Sequence, residues 1–105
     1  MDEPYCVVLV TAASEEQART IARTVLEGQL AACVNLVPVQ SMYVWEGAIQ
    51  DDREVLMIIK TRRDVFEALM NTVKAAHSYE VPEIIGMPVV VGSQAYLEWI
   101  SNVTK

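Results

Sequence analysis

The fold is decided by residues 5–28, YCVVLVTAASEEQARTIARTVLEG, which join an apolar strand to an amphipathic helix. Residues 5–11 are a continuous, mostly β-branched run, which predicts a strand buried on both faces. Ser14 and Gln17 form a capping-box pattern that begins a helix, and Gly28 marks its end. Helical spacing then predicts the buried stripe of this helix: Ala18, Ile21, Ala22, Val25 and Leu26.

A long hairpin and a second helix follow. Residues 30–45 predict a strand in which Pro38 occupies an edge or a bulge, because proline donates no ladder hydrogen bond. Residues 46–53 separate it from residues 54–61, the second strand of an antiparallel pair. Thr61 with Asp64 resembles another capping box, and the stripe of the next helix runs toward His77: Phe66, Leu69, Met70 and Val73.

The C-terminal third of the chain predicts a loop at residues 78–82, a strand at residues 83–91 and a helix from Ser93. Pro88 again implies an edge or irregular position. That helix carries Tyr96, Leu97 and Ile100 inward, with Trp99 at its rim. The order is βαββαβ plus one helix, an α+β, ferredoxin-like arrangement with two helices on one face of a four-stranded antiparallel sheet. We expect one domain over residues 1–105.

Composition excludes several classes of function. With 14 acidic and 8 basic residues the net charge is −6, which disfavours binding to nucleic acid or anionic lipid. Apolar runs are far shorter than the roughly 18 residues of a membrane helix, and the acidic N-terminus is unlike a signal peptide. Cys6 and Cys33 both lie in apolar segments, as buried, reduced cysteines of a cytoplasmic protein do.

Few residues could carry chemistry. The single histidine, His77, excludes multi-histidine metal sites within one chain, and no phosphate-binding glycine loop is present. Cys33 and His77 are the only thiol and base worth pairing, and the apolar strand around Cys33 does not activate a thiol. We therefore predict that the protein is not an enzyme.

His77 has two interpretations. At the end of the second helix it is a C-terminal cap, where the helix dipole favours its charged form. Alternatively its imidazole ligates a borderline metal such as Cu(II), with Glu80 or Glu83 supplying oxygen ligands. One imidazole with carboxylates makes only a weak site, although an oligomer could gather several copies.

The hairpin carries an aromatic row. Tyr43 and Trp45 face the same side of a strand together with Ser41, because side chains alternate across a strand. The row either forms a surface for a partner or packs under the C-terminal helix. Lys60, near the end of the next strand, either pairs with a carboxylate or receives an anionic ligand.

Five segments together resemble the CutA family of divalent-cation tolerance proteins: LAACVN at residues 30–35, SMYVWEG at 41–47, IIKT at 58–61, HSYEVPEI at 77–84 and YLEW at 96–99. The resemblance implies a ferredoxin-like fold in a tight homotrimer formed through the hairpins, as in PII signalling proteins. Members are described as binding copper, at a late first-strand cysteine and two histidines ending the second helix. Those positions here are Val10, Ala76 and His77.

The resemblance therefore implies a homotrimer that binds divalent cations such as copper weakly, through His77 and Glu80. The alternative is a PII-like sensor or adaptor that holds a small anionic metabolite or a partner protein. A small enzyme is the third hypothesis. The ligand residues implied at a cleft between subunits are Tyr43, Trp45, Lys60, His77, Tyr79 and Glu80.

Overall fold

The computed structural model describes residues 3–105. Its elements follow the expected order, with a short 3₁₀ turn before the second helix. They are β1 (Tyr5–Ala12), α1 (Glu15–Glu27), β2 (Cys33–Trp45), β3 (Ala48–Arg62), α2 (Phe66–Ala76), β4 (Ile84–Pro88) and α3 (Gln94–Val103).

The four strands form one antiparallel sheet in the order β2-β3-β1-β4. This order with two crossover helices confirms the predicted ferredoxin-like α+β fold. Val8 opposite Ile59 and Val10 opposite Met57 are fully buried on one face of the sheet. They pack in one core with the stripes of the helices, represented by Ile21, Val25, Leu69 and Val73.

The opposite face of the sheet is only partly covered. Burial alternates along most of β1, so the prediction that this strand is buried on both faces is wrong for a single chain. The reason is that α1 and α2 cover one face only. We call the other side the open face; it exposes Val37, Ile85 and Met87.

The start of α1 follows its sequence signals. Ser14 Oγ accepts a hydrogen bond from the Gln17 amide at 3.1 Å, and Gln17 Oε1 accepts one from the Ala13 amide at 3.3 Å. Leu26, predicted inside, is exposed. The helix ends at Glu27, and the left-handed residue beyond it is Gln29, with φ +60°, rather than Gly28.

The hairpin turn is shorter than predicted. Only Glu46 and Gly47 form it, with φ of +52° and +79°, as in a type I′ turn. β3 begins at Ala48, so the predicted separator at residues 46–53 is wrong beyond its first two positions. Residues 50–53 (QDDR) are polar because this part of the hairpin lies outside the core, and a strand outside the core needs no apolar alternation.

Two further strand boundaries and one cap differ from the sequence prediction, whereas Pro38 lies at an edge as predicted. β2 begins at Cys33 rather than at residue 30, and β4 ends at Pro88 rather than at residue 91. Thr61 lies inside β3 and donates to the Leu30 carbonyl at 2.6 Å, so it does not cap α2. Pro38 is on an edge strand, with one-to-one pairing on both sides of it and hence no bulge.

α3 packs at the end of the sheet where β1 begins. Ser93 caps it, and Ile100 is buried. Tyr96, predicted to point inward, is 43% exposed. The attachment includes a Tyr5–Ser101 hydroxyl hydrogen bond of 2.6 Å.

At the other end, β2 and β3 extend beyond the rest of the sheet. Ala12, the last residue of β1, pairs with Val55, so residues 39–54 have strand partners only within the hairpin. We call residues 39–54 the hairpin arm. It exposes Met42, Val44 and Ile49 by 69%, 73% and 73%. Such an apolar arm is typical of an interface.

Candidate ligand-binding cleft

A cleft of about 910 Å³ lies between the hairpin arm, the end of β1 and the loop after α2. Its size is within the range of small-molecule sites in proteins. No lysine, arginine or histidine is among its lining residues. They are Thr11, Gln40, Ser41, Met42, Tyr43, Trp45, Glu54, Ser78, Tyr79, Glu80, Val81, Pro82 and Glu83.

Glu54 is the most buried carboxylate of the cleft. It is the last arm residue of β3, and only 7% of its surface is exposed. Its Oε2 accepts a hydrogen bond of 2.7 Å from the Tyr79 hydroxyl. No lysine or arginine within residues 3–105 forms an ion pair with it. The cleft thus contains a buried acid with a neutral partner.

A second tyrosine–carboxylate pair lies farther along the arm. The Tyr43 hydroxyl donates to Asp52 Oδ2 at 2.7 Å. This hydrogen bond raises the pKa of Tyr43, whereas burial, followed by the hydrogen bond to Glu54, raises the pKa of Tyr79. Both phenols therefore remain protonated donors whose protons are committed to neighbouring carboxylates.

His77 lies behind the cleft and holds the loop to β1. It occupies the C-cap position of α2, where its amide approaches the Lys74 carbonyl at 3.4 Å. Its Nε2 lies 2.7 Å from the Thr11 carbonyl, and its Nδ1 accepts from the Tyr79 amide at 3.0 Å. Because a carbonyl only accepts, these partners assign the proton to Nε2. Neither ring nitrogen has an unused lone pair in this arrangement.

The structure brings together four of the six residues that the resemblance implied as ligand residues. Tyr43, Trp45, Tyr79 and Glu80 line the cleft, and His77 contacts it through Tyr79. The interpretation that the aromatic row packs under the C-terminal helix is wrong, because that helix attaches at the opposite end of the sheet.

Lys60 lies outside the cleft. It is directly opposite Cys33, and its Nζ donates to Asn35 Oδ1. Glu54 lines the cleft six residues before Lys60 on β3, so at about 3.3 Å per strand residue the lysine is roughly 20 Å away from it along the strand. The lysine is therefore unable to receive a ligand in the same cleft of the same chain.

Sequence analysis missed Glu54 and Asp52. The signal was available, since residues two apart in a strand share a face, and these two carboxylates follow each other on β3. The pairing of the two carboxylates on one face was not predicted because Asp52 lay in residues 46–53, which the sequence indicated as a turn region, and Glu54 began the predicted strand. Tyr79, which donates to Glu54, was predicted only as one of the ligand residues that the family resemblance implied.

The two cysteines differ in their surroundings. Cys6 is buried, and burial raises the pKa of its thiol. Cys33 is only half-buried, contrary to expectation, because β2 is an edge strand. Tyr96 lies near it, and burial, with Cys33 adding to the effect, raises the pKa of the Tyr96 phenol. His77 contacts Thr11 farther along the sheet, so it does not face Cys33.

Metal-ligating side chains are not clustered in the part of the chain that the structure describes. No three His, Cys, Asp or Glu side chains of residues 3–105 are grouped to hold a metal ion. Val10 is fully buried in the core, at the position that the resemblance assigns to a cysteine ligand. No helix among these residues is both long and apolar enough to span a bilayer.

Comparison with known proteins identifies the family. Residues 6–103 match the family described as CutA1 divalent ion tolerance protein. The chain belongs to this family. It is 48% identical over 99 residues to the divalent-cation tolerance protein CutA of Thermus thermophilus, covering 93% of this chain and 96% of that protein. It is 47% identical over 103 residues to the chloroplastic protein CutA of Arabidopsis thaliana, covering 97% of this chain.

Solved structures of relatives share the fold. CutA1 of Oryza sativa matches with a TM-score of 0.95 at 46% identity, covering 98% of this chain and 95% of that one. A protein from Archaeoglobus fulgidus, described as a periplasmic divalent cation tolerance protein, matches with a TM-score of 0.94 at 40% identity, covering 96% and 99%. The chain spans only 57% of the length of the Arabidopsis relative.

Proposed function

We propose that this protein is a non-enzymatic, trimeric divalent-cation tolerance protein that binds divalent cations weakly at the cleft. The observation that carries this proposal is the charge of the cleft, which is lined by Glu54, Glu80 and Glu83 and by no basic residue. Such a lining attracts cations and repels anions. It therefore favours a cation over the anionic metabolite of the PII-like alternative.

We assign Glu80, on the wall of the cleft, and His77, directly behind it, as the metal ligands. Glu80 is exposed on the cleft wall, three residues from His77. A metal ion reaches the imidazole only at Nδ1, by displacing the Tyr79 amide, since Nε2 carries the proton. Losing that hydrogen bond costs about 1 kcal/mol. This cost, together with a single imidazole, explains why we expect weak affinity.

Calorimetric titration with CuCl₂ tests the assignment. His77→Ala and Glu80→Gln should each weaken binding, while Glu67→Gln, an exposed acid on α2 outside the cleft, should not. Binding should also decrease on acidification, because metal ligands bind in their deprotonated form and protons compete with the metal. Equal copper affinity in wild type and His77→Ala would place the metal elsewhere and remove this site.

The trimer is supported by the arm and the open face. Met42, Val44 and Ile49 expose apolar surface at the arm, and Val37, Ile85 and Met87 do so on the sheet. Stable interfaces of obligate oligomers bury more than about 2,000 Å² in total. Light scattering should give three times the chain mass of 11.7 kDa. Val44→Asp should dissociate the assembly, and Ala75→Asp on α2 should not; a folded wild-type monomer at micromolar concentration refutes the proposal.

We further propose that the protein acts in the cytoplasm as a binding protein. The reduced Cys6 and Cys33 support a reducing compartment. The Arabidopsis and Archaeoglobus relatives are named chloroplastic and periplasmic, so compartments differ within the family. Cell fractionation of the native source tests the compartment. A substrate turned over by the wild type and not by His77→Ala would refute the binding role.

A further inference from the structure

Glu54 is a buried carboxyl group without an ion-pair partner among residues 3–105. Glu54 is more than nine-tenths buried, yet the only hydrogen bond to its carboxylate within residues 3–105 comes from the neutral Tyr79 hydroxyl. The ion pairs found within these residues are Arg19 with Glu15 and Arg62 with Asp64, and neither reaches the cleft. Burying a carboxylate is unfavourable unless a cation or several donors compensate for lost water.

Three donors of the cleft are already used within the protein. The Tyr79 hydroxyl donates to Glu54, the Tyr43 hydroxyl to Asp52, and the Gln40 amide to Asp51. Once its proton is committed, a phenol offers only acceptor lone pairs to other molecules. The carboxylates of Glu54, Glu80 and Glu83 and these committed phenols make the cleft rich in acceptors, which favours a ligand that is positive and bears hydrogen-bond donors.

Aromatic side chains form another part of the wall. Tyr43 is 39% and Trp45 41% exposed, and both line the cleft together with Tyr79. Aromatic faces attract ammonium and guanidinium groups, most strongly in tryptophan. A hydrated metal ion gains little from such rings, and the volume of about 910 Å³ far exceeds that of one ion.

We propose that this cleft binds a small organic cation bearing ammonium or guanidinium groups, with Glu54 as its charge partner and Tyr43, Trp45 and Tyr79 as its aromatic wall. The proposal shares the cleft with the proposed function but does not require metal binding at His77. It names a ligand class that the divalent-cation description of the family does not include.

The probe is agmatine, which carries a guanidinium and an ammonium group on a four-carbon chain. Its matched comparator is 4-guanidinobutyrate, in which a carboxylate replaces the terminal aminomethyl group and the four-carbon length is kept. Calorimetry on the intact protein, with EDTA present to exclude metal-mediated binding, should detect agmatine in the millimolar range or tighter. The comparator should bind at least tenfold more weakly, because the cleft repels its carboxylate.

Variants locate the binding site. Glu54→Gln keeps the shape and the acceptor for Tyr79 but removes the charge, and should weaken agmatine binding about tenfold or more, the scale of one charge-assisted contact. Glu67→Gln makes the same change of net charge outside the cleft and should bind as wild type does. Trp45→Leu keeps an apolar side chain without the ring and should also weaken binding.

A local readout comes from Trp45. Trp99 is the only other tryptophan, so the tryptophan fluorescence of a Trp99→Phe protein comes from Trp45 alone. Agmatine should change this fluorescence, and the dissociation constant from the fluorescence titration should equal the one from calorimetry. Absence of agmatine binding to folded wild type at 10 mM would overturn the proposal. So would equal binding of the two probes or wild-type affinity in Glu54→Gln. Copper titrations of the same samples without EDTA report on metal binding separately, so either proposal can fail alone.

Discussion

Replacing Tyr79 with phenylalanine tests the electrostatic design of the cleft. The substitution removes one oxygen atom and retains the ring, so the apolar contacts of Tyr79 persist. It deprives the carboxylate of Glu54, which is only 7% exposed, of its sole hydrogen bond within residues 3–105. We expect the free energy of unfolding to decrease because a buried carboxylate is left without a donor.

The magnitude follows from the charge of the acceptor. Hydrogen bonds to charged groups contribute about 1.5–3 kcal/mol, against about 0.5–1.5 kcal/mol for neutral pairs. Tyr79→Phe should therefore cost about 2 kcal/mol. Tyr43→Phe, which loses a bond to the exposed Asp52, should cost less than about 1 kcal/mol, because water replaces the lost donor. In a Glu54→Gln background the cost of Tyr79→Phe should decrease to about 1 kcal/mol.

Urea unfolding followed by circular dichroism measures these differences. All variants are compared at one protein concentration, because subunit association contributes to the measured stability. The Glu54→Gln protein should be at least as stable as wild type, since an amide is easier to bury than a carboxylate. The reasoning is refuted if Tyr79→Phe costs no more than Tyr43→Phe, or if its cost is the same with and without Glu54.

Three further predictions concern ionisation, the turn and the thiols. Burial and the Glu54 hydrogen bond raise the pKa of Tyr79 above the unfolded value of about 10, so the folded state retains a proton that the unfolded state releases. The contribution of Tyr79 to the free energy of unfolding should be complete below about pH 10 and should decrease as the pH rises further. The decrease should be less steep in Tyr79→Phe, and equal slopes in the two proteins would contradict this. Gly47→Ala should destabilise the protein by about 1 kcal/mol in urea unfolding, because φ is +79° and no neighbouring atom lies near the new methyl group to offset the backbone strain. Gly47→Asn should cost less, since asparagine tolerates this conformation, and an equal cost would point to a cause other than φ. A thiol reagent should label the half-buried Cys33 of the native protein before the buried Cys6, because burial raises the pKa of the Cys6 thiol. Variants with serine at one cysteine assign the two labelling rates. Faster labelling of Cys6 would contradict its burial.

The sequence predicted well those elements whose patterns reflect burial in the core. The stripe of α1 and the cap at Ser14 are local features, because helical periodicity and capping involve residues only three or four positions apart. The hairpin arm was misjudged at residues 48–53 for the same reason. These residues lie outside the core, so their sequence lacks the apolar alternation that predicts a strand.

By itself the sequence determined the order of strands and helices, the side on which Tyr43 and Trp45 face, and the absence of a second imidazole. Only the tertiary structure decided which polar and charged side chains lie next to each other. The Tyr79–Glu54 bond joins residues 25 positions apart, and it forms because the loop after α2 lies beside β3 where β1 has ended. The same antiparallel register places Lys60 opposite Cys33, far from the cleft. Strand pairing brings together residues distant in sequence, and periodicity carries no information on which ones, so the acidic character of the cleft emerged only from the folded chain.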